Sequence, residues 1–299
     1  MFYQLKDRVR RHRFASACKG VLQAPPVALD ASSNLVVLSQ VQHKDVLLFL
    51  LAAKSFAQRV KPGAIYVLND GSLTANDCAV LREHVPGLNL LELAEFRSDA
   101  CPRGGTWERL LAIASLVHDH YVIQLDSDTL TTGSIDEVRH CVEHQAAFAL
   151  GTWNKQKIEP MREQYETARK LAPQADSHVQ VVAEANFDKL DGFESLQYVR
   201  GCSGFAGFAR QSFTRGFVEA ISGQMQVAIG AKWSEWGSEQ VMSNIVLANI
   251  RGAIVMPHPK YADCHKMQPG LTEFIHFIGS CRFDNGNYAR LGAQVIARL

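Results

Sequence analysis

The sequence predicts an α/β protein with a mixed, mostly parallel sheet flanked by helices. Two observations support this fold class: buried-strand runs alternate with helical runs along the first half of the chain, and Gly- or Pro-containing turns separate them. Parallel strands need long crossover connections, so strand–helix alternation is the pattern expected of such a sheet. A third observation is that polar residues directly follow several of the strands.

The elements follow one another in order. The apolar runs predict strands over residues 34–41, 64–70, 88–93, 121–125 and 146–153. The helical patterns predict helices over residues 44–60, 73–87, 106–120, 158–171 and 241–250, with Thr106 as an N-cap. The stretch Gly201–Phe208 is glycine-rich, which suits either a close approach to a ligand or a strand packed tightly on its neighbour.

The composition is that of a globular protein. The 299 residues are 47% hydrophobic and 20% charged, with a formal net charge of +1. This near-neutral balance argues against nucleic acid as a partner. The seven cysteines form no C-x-x-C pair, and their odd number and scatter predict reduced thiols rather than a disulfide framework.

The first 34 residues are predicted to form a basic helical extension. Its basic residues alternate with apolar ones in the stretch MFYQLKDRVRRHRF, which has no apolar signal-peptide core. The longest apolar run, residues 46–53, is too short to cross a bilayer. We therefore expect a cytoplasmic protein whose extension either docks on the domain or makes peripheral contact with the inner face of a membrane.

Two aspartates follow the predicted strand YVIQL directly. Asp126 and Asp128 come directly after YVIQL and are separated by Ser127. Alternate residues of an extended chain point to the same side, so the two carboxylates would repel each other unless a cation lay between them. The pattern predicts a divalent metal site that carries a diphosphate, and the alternative is an Asp-rich turn.

Polar residues at other strand ends should lie on the same rim. Ser39 and Gln40 end the first strand and Asp70 ends the second. Ligands of open α/β sheets bind in the crevice at the carboxyl ends of the strands. These three residues are candidates for holding a base and a ribose, although ordinary capping of the strand ends explains them equally well.

Two later stretches add candidate residues. In WSEWGSEQVMSN, Glu239 and Gln240 would face a cleft, or Ser238 would cap the following helix. In FIHFIGSCRF, His276 is either a core histidine or a metal ligand, and Arg282 would clamp a phosphate.

Taken in order, these motifs resemble the nucleotide-sugar-dependent glycosyltransferases of the GT-A fold, and most closely glycosyltransferase family 8. The resemblance covers roughly residues 35–283. The matching segments, which stand in the family's order, are Arg109 on the helix 17 residues before Asp126, LDSDTL for the metal motif, Cys202-Ser203-Gly204 for N-A-G, EQVMSN for D-Q-D-x-x-N, and HFIGSCR for H-x-x-G-x-x-K.

The resemblance implies a single GT-A-like catalytic domain over residues 35–299. Residues 35–130 would form its Rossmann-like, nucleotide-sugar-binding half, and residues 131–299 its acceptor-side half with a closing segment. The expected reaction moves a sugar from a nucleotide-diphosphate sugar, with UDP as the expected nucleotide, to a glycan, glycolipid or protein acceptor. Retention is expected, whereas an inverting transfer would need a base, for which Glu239 is the candidate.

The resemblance also implies roles for individual residues. Asp126, Asp128 and His276 would hold the ion, and the imidazole favours Mn²⁺ over magnesium. The expected donor-binding residues are Ser39, Gln40, Asp70, Arg109, Ser127, Gly204, Gly279 and Arg282. Arg109, Glu239 and Gln240 are the expected catalytic residues. Two alternative functions are a sugar-1-phosphate nucleotidyltransferase, although the usual Gly-rich phosphate loop is missing near the N-terminus, and a non-catalytic nucleotide-sugar-binding protein.

Overall fold

The computed structural model describes residues 2–279 and 281–299 and gives side chains from residue 8 onward. Met1 and the side chains of residues 2–7, which belong to the predicted basic extension, lie outside the described part. Ser280, in the predicted motif from His276 to Arg282, also lies outside it.

The described residues form the following elements. The helices are α1 (Phe2–Cys18), α2 (Val46–Ala57), α3 (Ala75–His84), α4 (Trp107–Leu116), α5 (Asp136–Glu143), α6 (Met161–Lys170), α7 (Val179–Glu184), α8 (Arg215–Ile229), α9 (Ser238–Ala248) and α10 (Asn287–Ile296). The strands are β1 (Leu35–Val41), β2 (Ala64–Asn69), β3 (Asn89–Glu92), β4 (Tyr121–Leu125), β5 (Thr129–Thr131), β6 (Phe148–Leu150), β7 (Glu159–Pro160), β8 (Gln197–Tyr198), β9 (Cys202–Phe208), β10 (Ile254–Val255), β11 (Tyr261–Asp263) and β12 (Phe274–His276).

The central sheet confirms the predicted fold class. Its seven strands lie in the order β10-β6-β9-β4-β1-β2-β3. The pairs β1–β2, β2–β3 and β6–β10 are parallel, whereas β6 and β9 are antiparallel. All five residues of β4 are buried, as a Val/Ile/Leu-rich strand covered on both faces requires.

The chain divides into two compact units that are each discontinuous in sequence. Unit 1 comprises the chain up to Glu92, Ile123–His140 and Pro257–Leu299, and unit 2 comprises Leu93–Val122 and Cys141–Met256. The predicted boundaries at residues 34 and 130 stay a prediction. None of the helices in the described ranges has both the length and the apolar composition needed to span a bilayer.

Helix α2 shows how composition leads to burial in unit 1. Its sequence, VLLFLLAAKSFA, is apolar nearly all round, and ten of its twelve residues are buried. An all-round apolar helix has no face suited to water, so it must lie inside the fold. Lys54 is the charged exception in this helix, and it too is buried.

Thr106 lies at the predicted N-cap position of α4, although its side chain makes no capping hydrogen bond. Two other local predictions need correction. Ser238 is the first residue of α9 rather than its cap, and Gly237 occupies the cap position. The cysteines are not all unpaired: Cys264 and Cys281 form a disulfide because the fold brings their Cα atoms to 6.0 Å, a proximity that 17 residues of separation did not reveal.

Candidate functional site

The two aspartates and the histidine meet because of strand pairing within unit 1. Asp126 and Asp128 lie between β4 and β5, and β5 pairs antiparallel with β12 in a register that sets His276 opposite Thr129. The backbone N–H of Phe277 donates to the carbonyl of Asp128 at 2.8 Å. The ladder thus fixes the late histidine beside the acidic pair, 148 residues earlier in the chain.

The three side chains form a compact cluster. Nε2 of His276 lies 3.2 Å from Oδ1 of Asp128 and 3.7 Å from Oδ2 of Asp126. One ligand atom from each residue lies within 4.8 Å of the others. Asp128 and His276 are buried, whereas the side chain of Asp126 is 26% exposed and so gives the cluster an open side.

Arg282 completes the electrostatics of the cluster. Its guanidinium donates to Oδ2 of Asp128, and its Nε donates to the carbonyl of Phe277 at 3.3 Å. Burial raises the pKa of Asp128, but the charges of His276 and Arg282 and the hydrogen bond from His276 outweigh it, so the pKa lies below its ordinary value. The carboxylate is therefore ready to bind a cation at neutral pH.

The residues present fit a divalent cation. Two carboxylates within 4.8 Å repel each other by roughly 3 kcal/mol at an effective dielectric constant of about 20. Ligands on opposite sides of an ion with bonds of about 2.1–2.4 Å stand up to about 4.5 Å apart, so the three atoms need only small adjustments. A set of two oxygens and one imidazole nitrogen suits a transition ion such as manganese or zinc.

The candidate nucleotide-binding residues of unit 1 have distinct surroundings. Ser39 is fully buried, and its hydroxyl donates to the carbonyl of Leu125, which joins the carboxyl ends of β1 and β4. Asp70 accepts hydrogen bonds from the backbone N–H and hydroxyl of Ser72, as in an Asx turn. Both side chains thus stabilise the local structure at the ends of their strands. Their contact with a nucleotide stays a prediction.

Gln40 differs because its amide is incompletely paired. Its Oε1 is buried and has no hydrogen-bond partner among the described residues. A buried carbonyl oxygen without a donor is costly, so a donor from a bound molecule or a water would stabilise it.

The remaining two candidates of unit 1 lie close to the cluster in sequence. The carbonyl of Ser127 faces the hydroxyl of Tyr288 at 3.5 Å. Gly279 is exposed, and a Cβ at its position would meet no atom within 4 Å. The fold itself therefore does not require a glycine there, which leaves room for a ligand to approach the backbone.

A second polar cluster lies within unit 2, around Glu239. Glu239 is buried, and its Oε2 accepts from Thr106 Oγ1 at 2.8 Å and from Ser203 Oγ at 3.4 Å. Nη2 of Arg109, on α4, lies 3.5 Å from the same oxygen. The backbone N–H of Ser203 also reaches Oε1 of Gln240 at 3.4 Å. The predicted catalytic residues Arg109, Glu239 and Gln240 therefore share one cluster.

The glycine-rich strand β9 runs past this cluster. Gly204 is buried in it, next to Ser203. Asn244 on α9 donates to the carbonyl of Gly201 at 3.1 Å, so the late asparagine of the predicted motif fixes the start of the strand. The hydroxyl of Ser238 accepts from Trp107 Nε1 at 2.9 Å, which joins α9 to α4.

The sequence did not mark a site role for two residues that contact these clusters. Thr106 was assigned only to capping, yet its φ of +75°, rare for a β-branched residue, aims its hydroxyl at Glu239. Tyr288 had no motif to mark it, yet its ring stacks on Phe277 and its hydroxyl faces the carbonyl of Ser127. Position alone would not have found them, because their neighbours are distant in the chain.

Comparison with known proteins supports the fold. No protein family profile matches the chain, and neither does any curated protein sequence. Among solved structures, the chain is similar to the bifunctional glycosyltransferase WbbM in its apo form, with a TM-score of 0.53 and 12% identity over 89% of this chain and 50% of WbbM. The chain thus spans about half the length of that protein.

Two further solved structures have lower TM-scores with this chain. One is the galactosyltransferase LgtC in complex with donor and acceptor sugar analogues, with a TM-score of 0.43 and 14% identity over 88% of this chain and 96% of LgtC. The other is mouse xyloside xylosyltransferase 1, with a TM-score of 0.46 and 12% identity over 83% of this chain and 98% of that chain. The class of fold that emerges is that of the GT-A glycosyltransferases, as the sequence predicted; membership of family 8 stays a prediction.

Proposed function

We propose that this protein is a metal-dependent glycosyltransferase that uses a nucleoside-diphosphate sugar as donor, with UDP as the expected nucleotide. The observation that carries the proposal is the cluster of Asp126, Asp128 and His276 at the carboxyl end of β4 in a GT-A fold. Ligands of α/β sheets bind at this end of the strands. A fold alone does not define a reaction, so the chemistry of this cluster is the stronger support.

The residues at this site would have two roles toward a diphosphate: binding the cation and neutralising charge. Asp126, Asp128 and His276 would hold the cation, for which Mn²⁺ is our choice because of the imidazole. A divalent ion bound there supplies a Lewis acid for the charge that develops as the glycosidic bond breaks. Arg282 donates to Oδ2 of Asp128, and its positive charge would further neutralise the departing diphosphate.

Gln40 supports a nucleotide as the other half of the donor. Its buried, unpaired Oε1 is an acceptor, and the imide N–H of a uracil is a donor that would satisfy it. Ser39 and Asp70 would shape the same rim, and the backbone at Gly279 would lie open to the phosphates.

The unit 2 cluster supports retention of configuration. An inverting transfer needs a carboxylate base that the acceptor can reach. Glu239 is 2% exposed, and its Oε2 is surrounded by the donors of Thr106, Ser203 and Arg109. An enclosed carboxylate is poorly placed to take a proton from an acceptor. Glu239 is better suited to holding the side chains of Arg109 and Ser203 in place. We propose that these residues and Gln240 contact the transferred sugar.

We propose a glycan, glycolipid or protein as the acceptor, and a cytoplasmic location for the enzyme. The exposed face of α1 carries Arg8 and Arg13, and this charge suits peripheral contact with an anionic membrane surface. Such a location would bring the enzyme to a lipid-linked acceptor.

A donor-hydrolysis assay tests the proposed function. The protein is incubated with Mn²⁺ and a panel of UDP- and GDP-sugars, and release of the free nucleoside diphosphate is measured. We expect slow release with one donor, stopped by a chelator and reduced at least about 100-fold in Asp128→Asn, since the variant loses a ligand of the cation that would stabilise the departing charge. The anomer of the released sugar, read by proton NMR, checks retention.

The control is Asp136→Asn, which removes an exposed carboxylate of the same unit and should keep the wild-type rate. Pyrophosphate-dependent formation of nucleoside triphosphate would instead identify a nucleotidyltransferase. Nucleotide-sugar binding that a chelator leaves unchanged, without turnover, would identify a binding protein. Either result would contradict the proposal.

A further inference from the structure

A disulfide joins the two ends of the segment that carries His276 and leads to Arg282. Cys264 directly follows β11, and Cys281 directly precedes Arg282. The two cysteines are 17 residues apart in sequence, and β12 with His276 lies between them. None of the other five cysteines, all of which belong to the described residues, takes part in a disulfide. The cross-link therefore belongs to the same part of unit 1 as the metal cluster.

Both cysteines contact the backbone of this segment. The backbone N–H of Cys264 donates to the carbonyl of His276 at 3.0 Å, and Sγ of Cys264 lies 3.8 Å from the carbonyl oxygen of Ile278. The backbone N–H of Cys281 donates to the same Ile278 carbonyl at 3.0 Å. The disulfide therefore fastens the backbone that follows His276 to the end of β11.

The guanidinium of Arg282 depends on this backbone for its position. Arg282 directly follows Cys281, and its side chain donates to Asp128 and to the carbonyl of Phe277. Within the same turn Gly279 is exposed, and a Cβ there would meet no atom within 4 Å outside its chain neighbours, so packing does little to hold the turn at that point. A loosely packed turn gains order from a cross-link, because the bond removes alternative conformations of the loop.

The bond is accessible to a small reductant. Cys264 is half-buried, whereas Cys281 is 7% exposed. Both cysteines line a cavity of about 190 Å³, together with residues such as His265 and Asp284. The more exposed sulfur, that of Cys264, is the one that an attacking thiolate would reach first.

We propose that Cys264 and Cys281 are a site of reversible redox modification: the disulfide holds the donor site in its binding-competent arrangement, and reduction weakens donor binding. This inference rests on the proposed function. Disulfides are rare in the cytoplasm, and those found there are usually transient and redox-sensing. In the cytoplasmic location proposed above, a disulfide that contacts the site therefore suits regulation better than permanent stabilisation.

The partner in this reaction is a dithiol reductant. A thiolate of the dithiol attacks Sγ of Cys264 and displaces Cys281 as a thiolate, which takes up a proton. The second thiol of the reductant then attacks its own sulfur in the mixed disulfide and releases Cys264. Two electrons and two protons thus pass to the protein, which ends with two thiols while the reductant ends as a disulfide. An oxidised dithiol reverses the sequence.

Thiol labelling of the full chain tests whether the bond forms in solution. The protein is treated with an oxidised dithiol, unfolded and alkylated, and the adducts are counted by mass spectrometry. Of the seven cysteines, five lie outside the pair, so we expect five adducts in this sample and seven after treatment with dithiothreitol. Seven adducts in both samples would overturn the inference.

Calorimetry of UDP binding with Mn²⁺ tests whether the bond matters to the donor site. We expect reduction of the wild type, followed by removal of the reductant under nitrogen, to weaken binding about tenfold, because an unfastened turn must be ordered when the ligand binds. Reoxidation should restore the affinity. Cys264→Ser and Cys281→Ser should bind as weakly as the reduced wild type and should not respond to a dithiol. Cys78→Ser, at a half-buried position of the same unit outside the pair, should keep the wild-type affinity and response.

The failure of the proposed function gives a different result. A wild-type protein that binds neither UDP nor GDP with Mn²⁺ in either redox state would overturn both proposals. Equal affinity of the oxidised and reduced wild type would overturn the redox role alone. Circular dichroism of the reduced wild type should show a folded protein at the assay temperature, and unfolding there would mean that the bond is only structural. If the serine variants fail to fold, the reduced wild type decides by the same readouts.

Discussion

Single side chains set the chemistry of both clusters. Thr106 is an example, because its strained backbone accompanies a hydrogen bond to Glu239. Its left-handed backbone, with φ of +75°, is unfavourable for a β-branched residue. The hydroxyl nevertheless reaches Oε2 of Glu239 at 2.8 Å. A residue that keeps an unfavourable conformation in order to make a polar contact is typical of a functional site.

Thr106→Gly should therefore separate stability from activity. Glycine removes strain of about 1–3 kcal/mol but adds chain entropy to the unfolded state, so we expect a free energy of unfolding unchanged or up to about 2 kcal/mol higher. Turnover should fall about tenfold because Glu239 loses a hydrogen-bond donor. Urea unfolding and the donor assay measure the two effects.

Thr106→Ser provides the comparison, because it keeps the hydroxyl and removes the β-branch. Its turnover should stay near that of the wild type. A glycine variant with full activity, or one that is strongly destabilised, would contradict this assignment of Thr106.

Strands and helices set how closely these side chains can approach, and the glycines of β9 illustrate this. A Cβ at Gly207 would lie 2.2 Å from Cε1 of Phe148 and 2.5 Å from the hydroxyl of Tyr121. Both rings are fully buried. The glycine-rich run therefore serves close packing of a strand at this position, which was one of the two interpretations that the sequence left open.

Gly207→Ala should destabilise the protein strongly. Neither buried ring can move without disturbing its neighbours, so the cost should exceed the usual overpacking range of about 1–3 kcal/mol. Gly223→Ala is the matched control: it lies within α8, and beyond the adjacent backbone of that helix no atom lies within 4 Å of its Cβ position. Helix propensity predicts a gain of about 0.5–1 kcal/mol there.

Thermal or urea unfolding of the two alanine variants measures this difference. Equal changes in the free energy of unfolding for the two variants would contradict the prediction, because they would show that the side chains around Gly207 can move to accommodate a Cβ.

At the scale of the whole molecule, one buried cation links the pH to global stability. Lys54 is 3% exposed, and its Nζ donates to the carbonyls of Ala24 and Pro25 at 2.7 Å. It also lies 3.1 Å from Nδ1 of His84. Burial lowers the pKa of Lys54 to about 8, against a small opposing effect of Glu83.

This shift predicts that stability rises with pH between about 8 and the unfolded-state pKa of 10.5. In that window the unfolded chain binds a proton that the folded protein has released, so raising the pH favours the folded state. Relative to Lys54→Met, which cannot titrate, the wild type should gain at most about 3 kcal/mol.

Denaturant unfolding of both proteins at several pH values measures the gain. Lys44→Met, at an exposed position, serves as the control for the loss of one positive charge. Parallel stability profiles of the wild type and Lys54→Met across the window would contradict the prediction.

Much of the fold was predictable because it depends on local patterns. The strands around 35–41, 64–69 and 121–125 and the helices between them follow from apolar periodicity and turn residues. The sequence reasoning assigned no helix to α8 or α10, whose amphipathic patterns stood among less regular segments. The disulfide between Cys264 and Cys281 was also beyond it, since pairing depends on proximity in the fold.

The sequence by itself determined the residue types of the site: two aspartates after a buried strand, a late histidine and an arginine beyond it. Alternation along a strand is a local property, so the acidic pair could be predicted from spacing. Only the tertiary structure decided that His276 lies 3.2 Å from Asp128, because the pairing of β5 with β12 sets that distance. It alone also brought Arg11 to Asp45, since contacts between segments distant in the chain depend on how the whole chain packs.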